Sequence, residues 1–451
     1  MSRWDVIIVG AGLSGLSLGA VLAEKGKRVL VLEREGHLGG RATTVEFGGH
    51  VLDDGAHVPS RAGHIERVFE LIGRPYPELS AFGIGEIYYK GKWLQLRDVV
   101  SHEELREAFA RVAAVPKEEI EKLNDVPLDQ WVRGFAKSEE IHLVFNYLGT
   151  STSVGNRYEN YSAGEMITVM REFMDQGKKL TEMAGVPKGG MRSIYEPLAD
   201  SITRRGGEVR LNTPVKMVLI AKGRVQGVAI EDGMRALHSQ ALPLRTLESD
   251  RVVCALPLWA LFKVLPKEGL PAWWVNWIDY LKDKTSQAWS VIYALDEPPF
   301  DLSAFRWVPT MPKSGLSGIF FNMPTYGDKV GQYQFHISYQ GHYCELPDLH
   351  NPDLADNRRE IEALLDLLEE ESAEFFPMIK GKVHWKVRHA GIYGIAQSPG
   401  LVGEKRPTIF VPQVEGLYIV GDCVREAVGI GMQSAVRSAL VCAEEILGKK
   451  I

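Results

Sequence analysis

The chain is short of the features that mark secreted, metal-bound or membrane-spanning proteins. It has only four cysteines, Cys254, Cys344, Cys423 and Cys442, far apart and without a CxxC pair or a metal-type cluster. That spacing excludes a disulfide framework and a recognisable metal site, and it reads as reduced thiols in a cytoplasmic protein. No uninterrupted apolar run approaches the ~18 residues of a spanning helix, so the chain is expected not to cross a membrane. A basic excess is missing too. The formal net charge is −6, which gives no electrostatic reason to expect nucleic acid. Solenoid or propeller repeats and low-complexity linkers are absent. What is present is an ordinary globular composition, 45% hydrophobic and 24% charged over 451 residues, long enough for two domains.

The most informative stretch is Trp4 to His57. An apolar run, Val6-Ile7-Ile8-Val9, reads as a strand rather than a signal peptide. It is followed at once by Gly10-Ala11-Gly12-Leu13-Ser14-Gly15, then by an apolar helical pattern through Ala23. A second β-like run ends in Glu33. This is a βαβ dinucleotide fingerprint in its required context. Gly10 permits the tight turn. Gly12 lets backbone approach a pyrophosphate, and Gly15 lets helix and strand pack closely. Leu13 and Ser14 open the helix, whose N-terminus offers free N–H groups and a positive dipole end to phosphate. Glu33 follows the last glycine at close to the roughly 20 residues expected of a carboxylate that bonds ribose hydroxyls, and its sign argues against a 2′-phosphate.

The next residues carry a family resemblance. Glu33-Arg34-Glu35-Gly36-His37-Leu38-Gly39-Gly40-Arg41 resembles the extended signature of the flavin amine oxidase and phytoene desaturase superfamily. The resemblance implies FAD, with Arg34 among its contacts and Gly39, Gly40 and Arg41 crossing beside its pyrophosphate. Two glycines allow the close approach, and a guanidinium bonds phosphate oxygens in fork geometry. Asp53-Asp54-Gly55-Ala56-His57 continues it, and implies that Gly55, Ala56 and His57 lie near the isoalloxazine. Pro214-Val215, after Gly206-Gly207-Glu208, resembles the segment whose valine meets the adenine. At the other end, Gly416 to Asp422 reads as a buried strand, and Gly429-Ile430-Gly431-Met432-Gln433-Ser434-Ala435 opens a C-terminal helix. The resemblance implies that Gly421 and Asp422 meet the ribityl–pyrophosphate region. It also implies that Gly431, Met432, Gln433 and Ala435 bring a helix N-terminus to the flavin C2 carbonyl, where a positive dipole end stabilises negative charge. The second glycine pattern is separated from its strand by a loop and lacks a following acidic residue. No separate nicotinamide domain is therefore expected, and the electron acceptor is unassigned.

These segments imply an α/β fold: a Rossmann-like (GR2-type) FAD-binding domain with an inserted α+β substrate domain on a mixed or antiparallel sheet. The expected boundaries are 1–75, 185–258 and 405–451 for the FAD domain, and 76–184 and 259–404 for the substrate domain. Within the latter, residues 163–174 read as a helix with Met166, Val169, Met170 and Phe173 on one face, and Gly331 to Tyr339 alternates like a strand. Glu369-Glu370-Glu371 reads as a solvated helix face. The aromatic residues between 259 and 343 suit a large apolar cavity or a large core. Trp273, Trp277 and Tyr280 share one helical face; they suit a membrane-docking helix, leaving peripheral membrane contact open, or a helix packed on the substrate domain. The scarcity of nearby basic residues favours packing.

The resemblance is closest to the phytoene desaturase and carotenoid isomerase-like branch. It implies an FAD-dependent oxidoreductase acting on C–C bonds of an apolar, polyene- or isoprenoid-like or other lipid substrate, by hydride transfer to flavin N5. Redox-neutral isomerisation, saturation, amine oxidation and non-catalytic lipid escort are the alternatives. Amine oxidation is disfavoured, because no lysine follows Lys284 in the run where that branch carries one. His57, His336, His389 and Tyr393 are candidate proton-handling groups, but the sequence assigns no catalytic residue and no metal.

Overall fold

A computed structural model of the chain describes residues 3–47, 50–54, 57–59, 63–81, 85–153, 157–175, 185–231, 243–301, 305–324, 333–429 and 431–451. Gly55 and Ala56, two of the expected cofactor contacts, lie outside the described residues, as do Ile430 and the start of the run at Gly331.

The fold is α/β with a Rossmann-like core. Its parallel sheet has five strands in the order Leu417–Ile419, Val252–Cys254, Val6–Val9, Val29–Leu32, Glu208–Arg210. Runs such as Val6–Val9 are apolar at every position because both faces of a parallel sheet are covered. The helix Leu13–Glu24 is likewise buried almost all round. It packs between the C-terminal helix Gly431–Leu447 and the helix Arg192–Arg204. A three-stranded antiparallel sheet, Val215–Ala221, Arg224–Glu231 and Leu244–Glu248, adjoins this core.

The second sheet has seven strands, ordered Trp385–Ile395, Thr285–Leu295, Tyr333–His342, Ser317–Pro324, Phe305–Val308, Glu86–Tyr89, Lys92–Gln95. Its pairings are antiparallel except for one parallel contact between Trp307 and Ile87, so the sheet is mixed. Side chains alternate across a strand, and here the alternation separates two environments. Trp289, Val291, Tyr293, Phe335, Ile337 and Tyr339 form an apolar core with Leu365, Leu368 and Phe376. The opposite face carries two cross-strand rows. One is Phe305–Phe321–His336–Ile292–Val387, and the other is Trp307–Ile319–Ser338–Ser290–His389. That face is apolar toward residue 305 and polar toward residue 389.

Helices Glu139–Ser153 and Ala163–Asp175 cover the apolar half; Met166, Val169 and Met170 are buried as the spacing requires. The helix Ala272–Leu281 buries Trp274, Ile278 and Leu281 in the core of the parallel sheet rather than against the seven-stranded sheet. Trp273 and Tyr280 remain 60% and 59% exposed. Among the described residues no helix is long and apolar enough to cross a membrane.

The expected solvated face at Glu369–Glu371 is corrected at its last residue. Three consecutive helical residues span about 200°, too wide an arc for one face. In the helix Ala355–Phe375, Glu370 is exposed but Glu371 is fully buried. Its carboxylate accepts hydrogen bonds from the Tyr339 hydroxyl, the Lys313 amide and, at 3.1 Å, the Ser314 amide. Burial opposes its charge, but these bonds outweigh burial and hold the carboxyl below its usual range. A depressed carboxyl contributes stability above its unfolded value of about 4.3, and that contribution is lost as pH falls through the folded value. Glu371→Ala is therefore expected to cost about 3 kcal/mol at pH 7. The gap from wild type should narrow below about pH 4, as measured by urea unfolding at both pH values.

Candidate functional site

The parallel strands all end on the same side of their sheet, and the glycine-rich turns gather there. The Gly10 amide donates to Leu32 O (2.8 Å), Ala255 N to Val9 O (2.8 Å), and Val420 N to Cys254 O (3.0 Å). Four strand ends are thereby aligned along one rim. In open α/β sheets this rim is where ligands bind.

Gly10 has φ +106°, and a Cβ there would come 2.7 Å from Ala255 O. A Cβ on Gly15 would overlap the Gly10 carbonyl. Gly12 differs, since nothing lies within 4 Å of where its Cβ would be. It caps the helix Leu13–Glu24 without any side-chain hydrogen bond, so the first-turn amides at Leu13 and Ser14 carry no side-chain cap. An open, uncapped helix N-terminus at a glycine turn suits an anionic phosphate.

Gly39 and Gly40 lie against this turn. Gly39 N donates to Ala11 O (3.0 Å), Gly12 and Gly39 form a bridge, and both Gly39 and Gly40 have positive φ, 98° and 60°. Glu33 is buried; its two carboxylate oxygens accept from Ala11 N (2.8 Å) and Glu35 N (2.9 Å). It thus ties the end of its strand to the glycine turn, and each oxygen keeps a lone pair for a ribose hydroxyl. Glu33 N donates to Arg210 O and Thr213 N donates to Glu33 O, which brings the segment ending in buried Val215 to the same place. Arg34 lies past the end of the strand Val29–Leu32, and its side chain pairs with Glu35 in solvent, 66% exposed.

From the far end, Arg41 forms a two-pronged ion pair with Asp422 (2.7 and 3.1 Å) and also donates to the Tyr393 carbonyl. The Trp259 ring lies 5.5 Å from its guanidinium carbon. Gly421, at φ +141°, donates its amide to Ser438 of the C-terminal helix. Gly12, Val215 and Asp422 therefore belong to one continuous rim. The helix Gly431–Leu447 begins at this end of the fold, with Gly431 exposed and Met432 and Ala435 half-buried. Gln433 turns back to accept from Ile65 N (3.0 Å), locking its helix to the helix His64–Leu71.

His57 is buried beside this rim and pairs through Nε2 with Asp54 O (2.9 Å). The hairpin Thr44–Phe47/His50–Asp53 lays Phe47 and His50 against Trp385, on the edge strand of the seven-stranded sheet. It thereby delivers Asp54 to His389, Oδ1 to Nδ1 at 3.0 Å. That contact holds the Asp54 carboxyl below its usual range against the effect of burial. His336 comes in from the next strand but one; its Nε2 pairs with Gln334 Oε1 (3.1 Å), and Gln334 bonds Val51 O. Burial pushes His336 down to about 3 and lowers His57 as well, so both are neutral imidazoles near pH 7. All four candidate proton-handling residues, His57, His336, His389 and Tyr393, are thus gathered around Asp54 at the polar half of the seven-stranded sheet.

One participant and one pairing had no sequence signal. Arg406 is buried and spans Leu401 O (2.8 Å) and Asp422 O (3.2 Å), fixing the loop beneath Asp422. The Asp54–His389 pair joins segments more than three hundred positions apart. Only a guess at strand register could have found it.

Comparison with known proteins agrees with this geometry. The model of the family of flavin containing amine oxidoreductases matches residues 13–447. A phytoene desaturase of Fusarium fujikuroi is 26% identical over 268 residues, covering 51% of this chain and 47% of that protein. An inactive all-trans-retinol 13,14-reductase of Danio rerio is 26% identical over 290 residues, covering 52% and 46%. The chain thus matches about half the length of these curated relatives. The crystal structure of an oxidoreductase from Methanosarcina mazei superposes with a TM-score of 0.74 at 18% identity, covering 98% of this chain and all of that one. That likeness is one of fold.

Proposed function

Because the chain belongs to the family of flavin-containing amine oxidoreductases, we propose that it is an FAD-dependent oxidoreductase acting on a C–C bond of an apolar, polyene-like substrate. The observation that carries this reading is the rim on which Gly12, Gly39–Arg41, Glu33, Val215 and Asp422 meet. We assign the dinucleotide to that rim. The amides after Gly12 and the Arg41 guanidinium would hold its pyrophosphate, Glu33 its ribose, Val215 its adenine and Asp422 its ribityl region. Residues 1–75, 185–258 and 405–451 would form the cofactor domain, and 76–184 and 259–404 the substrate domain. Bound there, FAD would supply an acceptor for a hydride leaving substrate carbon.

The chain's own contribution is orientation and exclusion of water. Tyr147 stacks on Phe305 (5.6 Å, 6°), and with Phe321, Trp307 and Ile319 it packs the apolar half of the seven-stranded sheet under the helices Glu139–Ser153 and Ala163–Asp175, closing that side to water. The phytoene desaturase and retinol reductase names of the relatives support this substrate class. Amine oxidation is less well supported. Lys284 lies over the rings of Tyr343 and Tyr280 (4.6 and 5.4 Å), beside Asp283 and His350 rather than at the rim.

The test is spectroscopic. Purified protein should carry a flavin band near 450 nm that bleaches when phytoene in detergent micelles is added without oxygen. Protein that takes up no FAD on reconstitution would leave a lipid-escort role instead. Turnover of phytoene with no bleaching would mean isomerisation.

A further inference from the structure

The polar half of the substrate sheet holds a second arrangement that the cofactor does not explain. We propose that Asp54 and His389 form a carboxylate–imidazole dyad, in which His389 Nε2 takes the proton that substrate loses as its hydride departs. This rests on the reading of the site as an FAD oxidoreductase.

The geometry fixes the roles. Asp54 Oδ1 holds His389 Nδ1 at 3.0 Å, so Nδ1 carries the hydrogen and Nε2 keeps the lone pair. Nε2 lies over Gly391, where any Cβ would overlap it. Only glycine at 391 leaves the ring room to lie flat on the sheet. His389 stands in the same cross-strand row as Ser290 and Ser338, whose hydroxyls bond each other at 3.0 Å, and this row continues into the buried Ile319 and Trp307. The imidazole stands at the polar end of this row, on the strand whose Tyr393 carbonyl accepts from Arg41 at the rim. The carboxylate is itself held: the backbone carbonyl of Asp54 bonds His57, and the preceding Asp53 accepts from Thr44 Oγ1 (2.6 Å) and Met191 N (3.0 Å).

The other groups facing the dyad cannot replace it. His336 has its Nδ1 buried without a partner among the described residues, but burial keeps it neutral and reluctant to take a proton. His57 is similarly buried, and Tyr393 is a phenol pushed up to about 12 by burial and by Asp54. His37 acts on Asp54 only at a distance. The neighbouring Asp53 carboxylate is held by Thr44 and Met191, and Arg41 is paired with Asp422. Among these imidazoles His389 is the one in direct side-chain contact with a carboxylate, which would stabilise the imidazolium that proton uptake creates.

The step balances. One carbon of the reacting bond loses a hydride, two electrons and one hydrogen, to the oxidised isoalloxazine. The neighbouring carbon loses a proton to His389 Nε2. The C–H electron pair left behind becomes the new π bond, and the imidazolium later returns its proton to water.

The test uses flavin-loaded enzyme, phytoene in micelles and anaerobic stopped flow across pH 5–9, with imidazole titration by NMR of 13C-histidine-labelled protein. In wild type the rate of flavin reduction should rise with pH to a plateau, tracking one imidazole resonance that H389Q lacks. His389→Gln should lower the plateau about 100-fold, the ordinary scale for losing a general base. Asp54→Asn should lower it about 10-fold. It should also change the pH profile of flavin reduction, because the imidazole has lost the carboxylate that orients it. Asp54→Glu should recover part of the rate, as a merely structural carboxylate would not. Flavin content and melting temperature show that each variant is folded. Flavin reduced in H389Q at the wild-type rate and with the wild-type pH profile overturns the dyad alone. Wild-type protein that binds no flavin, or whose flavin phytoene never reduces, overturns the oxidoreductase reading and the dyad with it.

Discussion

A methyl group added at residue 12 is expected to expel FAD and leave the fold standing. Gly12 has φ −71° and ψ 176°, a conformation alanine adopts freely, and its Cβ would meet nothing within 4 Å. Glycine caps a helix better than alanine, so Gly12→Ala should cost the protein only about 0.5–1 kcal/mol. The open space is the point: it lies over an uncapped helix N-terminus, where a pyrophosphate must approach backbone closely. Crowding a fitted ligand by one methyl costs about 1–3 kcal/mol, or roughly 10–100-fold in affinity. Gly15→Ala should behave in the opposite way. Its Cβ overlaps the Gly10 carbonyl inside the turn, so the flavin-free protein itself should lose about 3 kcal/mol. Thermal unfolding of flavin-free protein and fluorescence titration with FAD separate the two. Unchanged FAD affinity in Gly12→Ala would remove the pyrophosphate from this turn.

That contrast also shows where sequence reading succeeds and where it stops. The glycines, Glu33 and the strand runs were legible because each follows from local rules: a period of two, a helix start, a turn that needs positive φ. Motifs quoted from opposite ends of the chain could be expected to share a site, but not in what manner. Arg41 and Asp422 were each read as cofactor contacts, and the structure pairs them with each other. Arg34 shares the motif of the site residues, but it lies beyond the strand end and its side chain pairs with Glu35 in solvent. Glu371 was misread because a run of like charge suggests one exposed face, while the helix distributes three consecutive residues over two environments. The Asp54–His389 contact depends on how the Thr44–Asp53 hairpin lies over an edge strand. No local pattern encodes that.

Removing the Arg41 guanidinium should cost more in cofactor affinity than in stability. The side chain is 41% exposed and Asp422 16%; an ion pair this open to water contributes only about 0–1 kcal/mol to the fold. A phosphate held by the same planar fork gains more, about 1.5–3 kcal/mol for hydrogen bonds to a charged group. Arg41→Ala should therefore weaken FAD binding about 10–100-fold while shifting unfolding free energy by about 1 kcal/mol or less. Arg41→Lys keeps the charge without the fork and should fall between wild type and alanine. Asp422→Asn releases Arg41 from its partner. It should preserve stability to within about 1 kcal/mol, but it too should lose FAD if Asp422 contacts the cofactor rather than merely aiming Arg41. A double-mutant cycle decides this, because strong coupling in FAD affinity with weak coupling in stability means the two residues act together on the ligand. Several kcal/mol lost from the flavin-free protein, with FAD affinity intact, would make the pair a clamp between the Gly39–Arg41 turn and the C-terminal loop, and the phosphate would have to be held by backbone alone.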